Sequence, residues 1–133
     1  MQRKVVGQVA GKDIVVMDSV SFVRPRDHGQ VVIAGSNGGH ASAVVVLGAQ
    51  LAFIALNDAG FGRDNAGVCG LSEVDERNIP GVGISHDSAE ISNGLDMWDA
   101  GIVSFVNETA RAVGVTVGMT LRRAVGCWGE AQA

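Results

Sequence analysis

Val31-Val32-Ile33-Ala34-Gly35-Ser36-Asn37-Gly38-Gly39-His40 is the stretch from which the whole chain is read. Four apolar residues in a row, without alternation, are what a strand buried on both faces looks like, and such strands occur mainly in parallel sheets covered by helices. The run stops at a polar, glycine-rich ending. Ala41 to Gln50 then supplies the cover, a helix weakened by its valines.

The same grammar returns twice downstream. Leu51 to Leu56 is an apolar run closed by Asn57-Asp58-Ala59-Gly60-Phe61-Gly62-Arg63-Asp64, after which Asn65 to Val74 reads as a short helix capped by Asp64 or Asn65. Asn78 to Gly81 is a turn, Val82 to Ser85 a third strand, and His86-Asp87-Ser88 a third polar ending. Three repetitions of strand, polar ending and cover predict an α/β fold: a single-domain parallel or mixed sheet with covering helices and right-handed crossovers.

Upstream, Val5 to Val9 and Ile14 to Met17 are β-branched runs joined by Ala10-Gly11-Lys12-Asp13, which predicts an N-terminal β-hairpin. Ser19 to Val23 alternates and reads as a further strand, stopped by Pro25. Toward the other end, Trp98, Ile102, Phe105, Val106, Thr109, Ala112 and Val113 recur at helical spacing, so a helix is expected from Trp98 to Val113 with Asp96 as its cap and Gly114 as its stop. Thr120 caps a short segment from Leu121 to Val125. One α/β domain is expected over residues 1–128, with Gly129 to Ala133 as a frayed tail.

Composition narrows the class of function. A chain of 133 residues that is 47% hydrophobic and 18% charged is about the size and balance of one well-buried domain. Its net charge of -4 leaves no basic field for phosphates, and no aromatic residues interleave with basic ones, so no nucleic-acid partner is expected. No run reaches the length of a membrane span and no signal-peptide pattern stands at the start, which predicts a cytoplasmic protein with no membrane partner. Cys69 and Cys127 lie far apart and outside any CxxC pattern, so two free thiols are expected.

The polar endings carry the candidate chemistry, because ligands of open α/β sheets bind beyond the carboxyl ends of the strands. Gly35, Asn37, Gly38 and Gly39 form a loop whose backbone can approach an anion or a developing oxyanion closely. It is neither a Walker loop nor a dinucleotide fingerprint, since no lysine follows and the GxGxxG spacing is missing. Ser36 is a candidate nucleophile with His40 or His86 as base and Asp58 as orienter, although the GxSxG elbow is absent and a serine in such a loop more often bonds backbone. Asn57, Arg63 and Asp64 in the second ending, and Asp87 and Ser88 in the third, are candidate substrate-binding residues. The competing account makes Asp58 and Asp64 helix caps and Arg63 their surface partner.

His28, His40 and His86 have no metal-ligand spacing, and Asp58, Asp64 and Asp87 are the only set that suggests a hard cation, so neither a metal nor a cofactor is expected. The pattern predicts a small enzyme of hydrolase or lyase type, with Ser36, His40, Asp58 and His86 catalytic, acting on an anionic or amide-bearing metabolite. A non-catalytic ligand-binding or accessory subunit of a larger enzyme is the alternative. A homo-oligomer is expected under either, because small α/β chains often complete their pockets across a symmetric interface.

Overall fold

The computed structural model describes residues 3–133 as one six-stranded mixed sheet in the order β1-β2-β3-β4-β5-β6. The strands are β1 (Lys4–Val9), β2 (Lys12–Met17), β3 (Val31–Asn37), β4 (Phe53–Asn57), β5 (Gly81–Ile84) and β6 (Val103–Val106). β2 to β5 are parallel, while β1 and β6 run antiparallel at the two edges. The expected hairpin is β1–β2, with a register shift between Val5 and Gly7.

The continuous apolar runs are buried on both sides. Val31, Ile33, Phe53, Ala55, Val82 and Ile84 face one core layer, and Val32, Ala34, Ile54 and Leu56 face the other. Helices α1 (His40–Ala49) and α2 (Cys69–Asp75) cover the second layer. Helices α3 (Gly94–Ala100), α4 (Glu108–Ala112) and α5 (Leu121–Ala131) cover the first, where Trp128 meets Phe53 edge to face at 6.4 Å.

Four segments differ from their sequence reading. Ser19 to Val23 is a 3₁₀ turn over Val20–Phe22, because the Ser19 hydroxyl accepts the Ser21 N–H and caps it. The second cover begins only at Cys69, since Arg63–Asn65 forms a 3₁₀ turn of its own. The expected Trp98–Val113 helix is instead the end of α3, strand β6 and α4. Gly101 is the break: it adopts extended backbone, and a Cβ there would lie 2.8 Å from the Ile84 side chain. The expected tail is helical through Ala131, with Gly129 packed against Val9 and Trp128 buried. No helix among the described residues is long and apolar enough to cross a membrane.

At the rim where β5 begins and β6 ends, Asn107 is buried and fully bonded. Its Oδ1 accepts Gly81 N–H and Ala110 N–H, and its Nδ2 donates to the Leu71 and Ile79 carbonyls. Asp75 beside it accepts the amides of Glu108 and Thr109 and the Thr109 hydroxyl, so a carboxylate from α2 caps α4. Burial alone would raise the Asp75 pKa, but those three donors outweigh it and hold the carboxyl below its ordinary value.

Candidate functional site

The parallel strands bring their three polar endings to one rim, as the sequence predicts. Asn37 of β3 pairs with Asn57 of β4, and Asn57 with Ile84 of β5, two residues before His86. Asn57 is buried and bonded on both sides of its amide, to the Ala89 carbonyl and the Ala59 N–H.

Asp58 is the buried charge of this rim, its side chain only 3% exposed. Oδ2 accepts the Ser104 hydroxyl at 2.6 Å, and Oδ1 accepts Gly60 N–H at 2.7 Å and His86 N–H at 3.1 Å. A buried carboxylate needs such donors, since an uncompensated charge away from water costs several kcal/mol. The same Oδ1 lies 3.3 Å from Nδ1 of the His86 ring. That ring is half exposed and lies beside Gly60, where φ is +75°, a backbone conformation that favours glycine. On its other nitrogen, Nε2 lies 3.2 Å from the exposed Asp87 carboxylate.

The geometry divides the sequence-predicted set. His86, Asp58 and Asp87 come together. Ser36 is apart from them: its hydroxyl accepts Val20 N–H at 3.0 Å and reaches the Ser19 hydroxyl at 3.5 Å, in a cleft of 430 Å³ lined also by Ser42, Ile91 and Ser92. His40, 73% exposed, holds Glu73 of α2 at 2.6 Å and makes no bond to Ser36 or Asp58. Arg63 and Asp64 are exposed on the turn before α2, and neither forms an ion pair among the described residues. Ser88 stitches the backbone, donating to the Ser85 carbonyl and accepting Ile102 N–H.

The glycines of the first ending are set by packing. Gly38 N–H lies within bonding distance of the Asn57 and Gly67 carbonyls, and a Cβ on Gly38 would lie 2.6 Å from Gly67 O. Gly39 N–H bonds the Asn37 side chain, which turns inward onto its own loop. Gly35 leaves room for the segment from Ser85 to Asn93, which crosses over the strand ends; a Cβ there would come within 2.6 Å of Asn93 N and Asp18 O. That segment is tied down by Ser92 N–H on Gly35 O and by Gly94 N–H on the Asp18 carboxylate.

Ser104 and Gly60 are the contributors that the sequence reading did not single out. Ser104 was hidden because its strand read as helix, whereas Gly60 stood in a quoted loop without a reason for its place. Among the described residues, no group of three His, Cys, Asp or Glu side chains is arranged to hold a metal ion. No family model, curated protein or solved structure matches the chain.

Proposed function

We propose that the chain is an acid–base enzyme of hydrolase or lyase type, in which His86 moves the proton and Asp58 orients it. The observation that carries this reading is the Asp58 carboxylate, almost wholly buried, held by Ser104 and two amides, and set against a half-exposed imidazole. In the tautomer that carries its proton on Nδ1, the nitrogen beside Asp58, the neutral ring keeps its Nε2 lone pair for a substrate proton. The imidazolium that results is stabilised by a charge that water screens poorly, the arrangement by which an aspartate assists histidine in acyl-transfer enzymes. The Nε2–H so formed is then given up to the leaving group.

The segment that carries His86 goes on to line the cleft of Ser36 and Ser92, whose hydroxyls and amides suit a small polar substrate, anionic or amide-bearing. Ser36 has its hydroxyl committed to Val20 and Ser19 and serves in substrate binding in this reading. The test is a panel of small carboxylates and amides turned over by the purified chain, then by His86→Gln and Asp58→Asn. Losing a general base or its orienter lowers turnover by about 10²- to 10⁴-fold. Unchanged turnover in His86→Gln refutes the reading, and nitrogen NMR of the wild-type ring gives a second check: Asp58→Asn must shift its tautomer balance.

A further inference from the structure

We propose that the outer face of α1 is where two copies of this chain pair about a two-fold axis, α1 lying antiparallel to α1 of the second copy. After His40 the helix contains no charged residue, reading Ala-Ser-Ala-Val-Val-Val-Leu-Gly-Ala. Its inner side, Ser42, Ala43 and Val46, is buried on the sheet, yet Val44 on the outer side is 56% exposed. A helix with water on one face carries polar residues there, and one that is apolar all round belongs inside a larger body. Its three consecutive valines also lower helix propensity, so the segment draws its stability from contacts rather than from its own preference.

The surface is shaped to receive a copy of itself. A cleft of 520 Å³ runs beside Val45, bordered by Val23, Pro25 and Gly48. Gly48, one turn from the protruding Val44, has open space where a Cβ would stand, so the helix backbone is bare there. An antiparallel two-fold sets each Val44 over the bare backbone at Gly48 of the other copy, where the two helices can approach closely.

Charge fixes the sense of the pairing. At the C-terminal end of α1, Arg77 lies beside Leu47 and Gln50 and forms no ion pair among the described residues. At the N-terminal end stands Glu73, 38% exposed and paired among the described residues with His40. Antiparallel packing about a two-fold keeps each flank of α1 against the same flank of the copy, so Arg77 of each meets Glu73 of the other on the α2 side, while no charge lies along the apolar centre.

Sedimentation equilibrium of the full chain at micromolar concentration gives a dimer on this proposal. Val44→Glu weakens it by about a hundredfold or more, because an unpaired carboxylate is buried at the centre of the contact. Val117→Glu, at a position 59% exposed in the turn after α4, leaves it unchanged. Glu73→Arg weakens it by about tenfold, and adding Arg77→Glu restores it. A monomer at about 0.1 mM, weaker than any specific contact that survives mutation analysis, overturns the proposal. So does a dimer indifferent to Val44→Glu, or a charge exchange that restores nothing.

Discussion

The sheet has a polar hub at each rim, and the two differ in what they leave open. Asn107, where β5 begins and β6 ends, is neutral and spends two donors and two acceptors on four backbone groups, with its side chain closed to water. Asp58 at the opposite rim also binds neighbouring loops together through Gly60, His86 and Ser104, but it is charged and has a half-exposed imidazole against it. A residue whose work is architecture uses an amide because donors and acceptors can both be matched without a desolvated charge. A carboxylate at such a site is warranted when the charge acts on a partner, here an imidazole that reaches solvent.

Exchanging the two chemistries breaks the comparison most severely. Asp58→Asn keeps an acceptor for the loop amides and preserves the fold, yet turnover falls by about a thousandfold because the ring loses its orienting charge. The reverse change, Asn107→Asp, faces a carboxylate oxygen toward the Leu71 and Ile79 carbonyls that now receive a donor. Urea denaturation at neutral pH is expected to record a loss of about 3 to 4 kcal/mol, and indifference would mean that the lower hub holds nothing together.

Asp75 gives a smaller effect with a defined sign. Its folded carboxyl titrates below its unfolded value, so its contribution is present at neutral pH and disappears as pH falls through the folded pKa. Asp75→Asn costs about 1 kcal/mol at pH 7, as cross-element helix caps do, and the wild-type advantage vanishes once the pH has fallen through the lowered folded pKa. Melts of both chains across this range test it; a difference that persists into acid would contradict the cap. The least effect belongs to Ser36→Ala, for which turnover stays within about threefold of wild type, since a hydroxyl bonded to backbone is no nucleophile. A loss of about a hundredfold or more would return Ser36 to the reacting centre.

The sheet was legible because Val31–Ala34 and Leu51–Leu56 are apolar on both faces, a pattern that a strand between two helix layers imposes. Asp58 and His86 were legible as a pair of strand endings, since adjacent parallel strands bring such endings to one rim. The partnership of His40 with Glu73 was not, because α2 is seated by close backbone contact of Gly38 and Gly39 with Gly67 and Gly70, which no periodicity reveals. Ser104 escaped for a related reason: Trp98, Ile102, Phe105 and Val106 have helical spacing in a region that turns at Gly101 into a four-residue strand. A strand so short alternates for too few residues to be told from one helical turn.

The sequential strand order bears on how the chain assembles as it leaves the ribosome. Each strand joins its predecessor, so every new edge finds its partner already in place and no strand must wait to be inserted between two others. The exception is the apolar face at Val9 and Phe53, which stays bare until α5 emerges to lay Gly129 and Trp128 over it. A nascent chain halted before Leu121 therefore displays a sticky half-covered sheet, the form of this protein most in need of a chaperone.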